Sequence, residues 1–234
     1  MSGLARAAWQ FYKRNFGAVV GPLWITQAIL AALARAYLLL PDVSRGYTLL
    51  LIEVLVPMLI GTVVLAVVTV RIESIDRGER LSIASAWTRL GSHRSRLALM
   101  ALLPTLVALL LAIPTGTRLL VLLLFNGFFG PPLVMHALAL EGRSGTDALT
   151  RARELLRGRG PRTVLYLVNV VVGTGLVSLF VGGAIFQATT GTGTLELVAI
   201  PVQTLVAAIA LGYVGVFEYV LFQHLTKGAD ATPG

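Results

Sequence analysis

Long apolar segments recur through this 234-residue chain and constrain its fold more than any other feature. Six of them are near or above the roughly 20 residues that an α-helix needs to cross about 30 Å of hydrocarbon. They lie at approximately 17–40, 47–70, 96–113, 119–140, 163–187 and 197–222. Hydrophobic residues make up 56% of the chain and charged residues 13%, against about 45–50% and about 25% in soluble domains. The sequence therefore predicts an all-α polytopic membrane protein whose six transmembrane helices form three hairpins.

Basic residues are distributed unequally between alternate connections of these predicted crossings. Sixteen of the 19 lysines and arginines fall on one side, whereas only Arg35, Arg45 and Arg118 fall on the other. Cytoplasmic loops of membrane proteins carry the excess of lysine and arginine. The distribution therefore predicts a multi-pass protein of the cytoplasmic (inner) membrane with both termini in the cytoplasm.

A short segment with apolar residues at helical spacing precedes each predicted hairpin. The three apolar trios are Leu4, Ala8 and Phe11; Ile83, Trp87 and Leu90; and Ala148, Ala152 and Leu155. Each trio shares one helix face, which indicates interfacial helices with apolar faces in the acyl boundary of the inner leaflet and arginines toward phosphates. The pattern predicts three repeats (2–70, 77–140 and 144–224) within one integral membrane domain (1–228), followed by a disordered tail (229–234).

Basic clusters lie beside these amphipathic segments. Candidate contacts with inner-leaflet headgroups or a partner protein are Lys13, Arg14, Arg94, Arg96, Arg157, Arg159 and Arg162. Anchoring at anionic headgroups is the simplest interpretation, and specific recognition of a headgroup or an acidic partner is the alternative. Nucleic acid is not expected as a partner, because the clusters are split among three connections and interleaved with acidic residues.

The stretch LALEGRSGTDALTRARELLRGRGPRTVLYL resembles the signature of the glycerophosphoryl diester phosphodiesterase membrane-domain family and related bacterial six-helix membrane proteins. Glu141, Gly142, Ala148 and Leu149 stand at the positions of that family's motif. RAAWQFYKRNFGAVV and ALGYVGVFEYVLFQHLTKG resemble its opening and closing helices. The resemblance implies a six-helix membrane fold. We expect no catalytic domain of the kind that is fused to some members, because six crossings take up this length.

Polar residues within the predicted crossings are candidates for function, because they are costly to place in a bilayer. Arg35 and Glu53 lie at similar depths in the first hairpin, which predicts an ion pair, and a proton- or cation-coupled role for Glu53 is the alternative. Asn126 and Asn169 are predicted to bond across helices. Glu218 is predicted to pair with a cytoplasmic arginine.

Enzyme motifs such as HExxH, GxSxG and GxxxxGK[ST] do not occur in the sequence. His136 lies near Glu141, but no third ligand is suggested, so neither a metal nor another cofactor is expected. The sequence predicts a non-enzymatic scaffold or accessory subunit of the bacterial inner membrane. It would bind anionic lipids on the cytoplasmic side, a membrane protein partner or a second copy of itself. The alternative is a transporter, or its membrane subunit, for a lipid-like or small hydrophobic solute.

Overall fold

The computed structural model describes residues 2–38, 56–93, 131–143, 145–157, 160–189 and 194–230. These residues form helices and short connections, and no strand occurs among them. The α-helices are α1 (Ser2–Arg14), α2 (Phe16–Leu38), α3 (Val56–Asp76), α4 (Ile83–Leu90), α5 (Pro131–Leu140), α6 (Gly145–Leu156), α7 (Gly160–Thr189) and α8 (Thr194–Asp230). A 3₁₀ turn, Gly91–His93, follows α4. The predicted all-α class is confirmed.

Four of the long helices, α2, α3, α7 and α8, coincide with predicted apolar segments. Helix α5 covers the end of the segment 119–140, and the segment 96–113 lies outside the described residues. Within the described ranges, two stretches are long and apolar enough to span a membrane, Phe16–Leu33 in α2 and Ala199–Gly228 in α8. Only 22% of the α2 stretch is buried inside the protein, so most of its apolar surface faces outward.

Each short amphipathic helix packs against an apolar helix. Helix α4 packs on α3, the helix before it, and α6 packs on its predecessor α5. Helix α1 packs instead on α8, the last of the described helices. Two amphipathic helices therefore pack on the helix that precedes them, whereas α1 packs on a helix far from it in sequence.

Each amphipathic helix buries an alanine and the residue four positions later. These pairs are Ala8 and Tyr12, Ala86 and Leu90, and Ala148 and Ala152. The trios predicted to face the acyl boundary differ in exposure. Ile83 and Trp87 of α4 are exposed while Leu90 is buried, and the whole α6 trio, Ala148, Ala152 and Leu155, is buried in the protein core. The apolar face of α6 therefore packs against the protein, whereas that of α4 is largely exposed.

Helix α8 forms the centre of the described core and packs against α1, α2, α3 and α7. A Cβ atom at Gly212 would lie 3.1 Å from Val19 Cγ1 and 3.3 Å from Tyr12 Cε2. At Gly215 it would lie 2.8 Å from a Cδ of Leu65 in α3. Two glycines on α8 therefore allow close approach on two sides. The helix continues through Asp230.

Tyr12 connects α1 to α8 through a buried hydroxyl. Its Oη donates a hydrogen bond to the Ile209 carbonyl oxygen at 2.8 Å, and its ring contacts Phe16 and Tyr213 edge-on. Burial raises the pKa of Tyr12 to about 12 from its usual 10.0. The folded state therefore holds the phenol proton more tightly than the unfolded chain does.

This shift predicts a loss of stability at alkaline pH. Below pH 10 both states are protonated and the contribution is fully present; from pH 10 towards 12 the unfolded state loses its proton first, so stability falls. Tyr12→Phe removes the hydrogen bond to Ile209, which should cost about 1 kcal/mol of stability near neutral pH. It also removes the phenol, so the variant should lose less stability than the unmodified protein between pH 10 and 12. Thermal unfolding of both proteins from pH 8 to 12 tests this prediction. An equally steep alkaline decline in the variant would contradict the assignment to Tyr12.

Candidate functional site

Arg71 joins three parts of the chain that are distant in sequence. Its Nη1 donates to the Ala18 carbonyl oxygen at 2.9 Å, and its Nε donates to the Leu81 carbonyl oxygen at 3.1 Å. Pro22 lies inside α2 and has no N–H, so the carbonyl of Ala18, four residues earlier, lacks its usual helical donor. Arg71 supplies that donor from α3. The guanidinium thereby fixes the start of α2 and the α3–α4 loop relative to α3.

A cleft of about 530 Å³ opens beside this junction. Its walls come from the α1–α2 junction, the end of α3 and the α3–α4 loop. The polar side chains that line it are Arg14, Asn15, Arg71, Glu79 and Arg80. Its volume lies within the roughly 300–1,000 Å³ that is typical of small-molecule pockets, so the cleft is large enough for a polar headgroup.

Positive charge dominates the cleft. Three guanidinium groups face one carboxylate, that of Glu79, which gives the lining a net charge of +2. Within the described ranges, none of these three arginines forms an ion pair. Arg14 and Arg80 are also exposed. An anion that enters the cleft would therefore meet guanidinium groups not already neutralised by a carboxylate.

The α3–α4 loop, which forms one wall, is held by backbone and side-chain bonds. Gly78 has a φ of +80°, a conformation that glycine adopts without strain, and the Glu79 N–H donates back to the Ser74 carbonyl oxygen at 2.7 Å. Tyr219 Oη donates to Asp76 Oδ2 at 2.9 Å and joins the end of α3 to α8. The end of α3 and the first residues of the loop are therefore tied down.

The α5–α6 connection has a similar turn but different electrostatics. Gly142 has a φ of +64°, and a Cβ atom there would lie 3.8 Å from His93 Nε2 at the end of the α4 segment. Glu141 accepts from Arg143 Nε at 2.6 Å and from Arg151 Nε at 3.4 Å. These arginines are thus paired with a carboxylate, unlike those of the cleft. Glu141 and Gly142 have structural roles in joining α5 to α6.

Several predicted site residues can be placed. Lys13 is exposed, with its Nζ 5.6 Å from the centre of the Trp9 ring, while Arg14 lines the cleft. Arg157 and Asn169 are exposed on the surface. Their predicted contacts with headgroups and with other helices stay predictions.

Glu218 is buried in α8, where it is 4% exposed. No lysine or arginine among the described residues forms an ion pair with it. Because Arg94, Arg96 and Arg159 lie outside the described residues, its pairing with a cytoplasmic arginine stays a prediction. The carboxyl group lies among the packed helices, on a face of α8 that neighbouring apolar residues bury together with it.

Other predicted residues cannot be placed in this way. Those that lie outside the described residues are Glu53, Arg94, Arg96, Asn126 and Arg159. Arg35 and Arg162 belong to helices α2 and α7, whose backbones are described at these positions although their side chains are not. The predicted ion pair between Arg35 and Glu53 therefore stays a prediction.

Sequence reasoning did not single out Arg71 or Arg80 as site residues. Both counted only towards the excess of positive charge on one side. A local signal for Arg71 does exist, because it follows the apolar run VVLAVVTV and precedes the last turn of its helix. An arginine inside an apolar helix needs partners within the protein, and this one finds two backbone carbonyl groups.

The described residues thus form an all-helical structure in which two helices have membrane-spanning length and composition, with a basic cleft at the start of one of them. No protein-family model, curated protein or solved structure matches the chain. The resemblance to the glycerophosphoryl diester phosphodiesterase membrane-domain family therefore stays a prediction.

Proposed function

We propose that this chain is a non-enzymatic, multi-pass protein of the bacterial inner membrane that binds anionic lipids at its cytoplasmic face, as a scaffold or accessory subunit. The proposal includes six transmembrane helices in three hairpins, with both termini in the cytoplasm. The observation that carries it is the cleft lined by Arg14, Arg71 and Arg80, whose guanidinium groups have no carboxylate partners among the described residues.

Exposed aromatic residues support a position at the membrane surface. Trp9 in α1 is 48% exposed and Trp87 in α4 is 39% exposed, each one position after a buried alanine. Tryptophan is enriched where hydrocarbon meets headgroups, because its ring is apolar and its N–H is polar. Two amphipathic helices would therefore present tryptophan to the same inner-leaflet boundary that their basic residues reach.

Lipid binding is favoured over the transporter alternative by what the described residues contain. The transport hypothesis rests on the repeat, on prolines within the predicted crossings and on Glu53, which lies outside the described residues. The binding hypothesis relies on a defined cleft with named side chains. Binding of a protein partner at the exposed Arg153 and Arg157 is one of the outcomes of the test.

Native mass spectrometry of the protein, extracted gently from its own membrane, tests the proposal. We expect anionic phospholipids to remain bound after zwitterionic lipids have been exchanged for detergent. A stoichiometric protein partner without any retained anionic lipid would contradict lipid binding and would assign the basic surface to that partner. Adding about 0.5 M salt during extraction controls for loosely held lipids, since screening at that ionic strength weakens surface contacts more than enclosed ones.

A further inference from the structure

The proposed function leaves open which anionic lipid the cleft would take. We propose that the cleft between the α1–α2 junction and the α3–α4 loop binds the phosphate monoester headgroup of a lipid of the phosphatidate type, whose acyl chains lie along the exposed face of α2. This inference rests on the proposed lipid binding. It adds the site, the headgroup class and the path of the chains.

Charge and donor geometry favour a phosphate monoester over a phosphodiester. A phosphate monoester carries about −1.5 to −2 charge near pH 7 and three free oxygens, whereas a phosphodiester carries one charge and two free oxygens. The cleft has a net charge of +2 and the three arginines Arg14, Arg71 and Arg80. Guanidinium groups match phosphate oxygens in geometry as well as charge. A monoester would therefore form more charge-assisted hydrogen bonds with these arginines than a phosphodiester would.

Arg71 is prepared for such a ligand by its protein contacts. Two of its five N–H donors are used by the carbonyl groups of Ala18 and Leu81. The guanidinium is thus fixed at the wall of the cleft while other donors are left over. A fixed side chain loses less conformational entropy on binding than a free one does. Arg14 and Arg80, which are exposed, would close on the phosphate from the α1 side and the loop side.

The exposed face of α2 favours a lipid over a free phosphate ion. Ala18 lines the cleft, and the exposed residues Ile25, Ile29 and Leu33 follow it by 7, 11 and 15 positions. At 3.6 residues per turn these positions fall on nearly the same side of the helix as Ala18. A lipid whose headgroup lies in the cleft would therefore place its acyl chains against these exposed apolar residues of α2.

Binding of short-chain lipids to the full-length protein in detergent, followed by native mass spectrometry at pH 8, tests this inference. The probes are dioctanoyl phosphatidate, dioctanoyl phosphatidylglycerol, dioctanoyl phosphatidylcholine and inorganic phosphate. We expect phosphatidate to bind about tenfold more tightly than phosphatidylglycerol, in line with charge-assisted bonds to an additional charge and oxygen. We expect phosphatidylcholine to bind least, and millimolar phosphate not to displace phosphatidate. The preference should shrink at pH 5, where the monoester loses its second charge.

The variant Arg14→Gln/Arg80→Gln tests the contribution of the cleft to phosphatidate binding. Neither side chain makes an ion pair within the described ranges, so the unfolding temperature should hardly change while phosphatidate affinity falls about tenfold or more. The matched control is Arg6→Gln/Arg89→Gln, which removes the same charge from exposed positions of α1 and α4 that do not line the cleft. It should bind phosphatidate like the unmodified protein.

The outcomes separate this inference from the proposed function. Equal binding of phosphatidate and phosphatidylglycerol, unaffected by the cleft variant, would overturn the assigned site and leave general lipid binding standing. Displacement of phosphatidate by inorganic phosphate at equal affinity would overturn the lipid as ligand and assign the cleft to a free anion. Binding of no anionic lipid above the level of phosphatidylcholine would overturn both.

Discussion

Gly212→Leu is expected to lower the unfolding temperature of this protein by roughly 2–12 °C, since overpacking costs about 1–3 kcal/mol and each kcal/mol shifts a protein of this size by about 2–4 °C. A Cβ atom at this position would already lie 3.1 Å from Val19 Cγ1 and 3.3 Å from Tyr12 Cε2. The rest of a leucine side chain has no room there, so α8 must move away from α1 and α2. That movement would also break the hydrogen bond from Tyr12 to Ile209.

Gly173→Leu is the matched control for this prediction. Gly173 also lies within a long helix, α7, but a Cβ atom there would meet nothing within 4 Å. Its substitution should leave the unfolding temperature nearly unchanged or raise it, because leucine favours the helix more than glycine does. Thermal unfolding of the purified proteins in one detergent makes the comparison. Similar losses in both variants would show that close packing at Gly212 is not the cause.

Arg71→Ala is expected to destabilise the protein by roughly 2–6 kcal/mol, because it leaves the carbonyl oxygens of Ala18 and Leu81 without their donor, and each unsatisfied group costs about 1–3 kcal/mol. Pro22→Ala should reduce this penalty. With alanine at position 22 the helix regains an N–H for the Ala18 carbonyl, so one of the two orphaned groups is satisfied again. The two substitutions should therefore be coupled by about 1 kcal/mol or more.

A double-mutant cycle of Pro22→Ala and Arg71→Ala, followed by chemical or thermal unfolding, measures this coupling. Arg89→Ala serves as a control, because Arg89 is exposed and forms no ion pair among the described residues. It should change stability little and show no coupling to Pro22. Additivity of the two main substitutions to within about 0.3–0.5 kcal/mol would mean that the helix break at Pro22 and the contact of Arg71 are independent.

The helices of the fold were predictable because local periodicity and length determine them. The long apolar segments correspond to α2, α3, α7 and α8, and the amphipathic segments to α1, α4 and α6. Which residues of α4 are buried was not predictable in the same way. The hydrophobic pattern placed Ile83, Trp87 and Leu90 on one face, but the structure buries Leu90 together with Ala86 and leaves Ile83 and Trp87 exposed. An alanine carries little hydrophobic signal, so its burial depends on packing between helices that a local pattern does not describe.

The candidate site was predictable only in part, for the same reason. Arg14 was predicted, because it belongs to a local basic cluster at the end of an amphipathic segment. Arg71 was not, since its role depends on the carbonyl of Ala18, 53 residues away, and on a proline that frees that carbonyl. Such a link exists only once α2 and α3 are packed together. Local charge patterns therefore singled out the end of α1, whereas the cleft beside it depends on tertiary packing.

The pairing of α1 with α8 has a consequence for how the chain is made. Tyr12 and its partner Ile209 are 197 residues apart. At about 5–20 residues per second, ribosomes synthesise these two residues roughly 10–40 s apart. During that interval the aromatic side of α1 has no docking surface on α8. The part of the core that joins these two helices therefore cannot form until α8 has been synthesised.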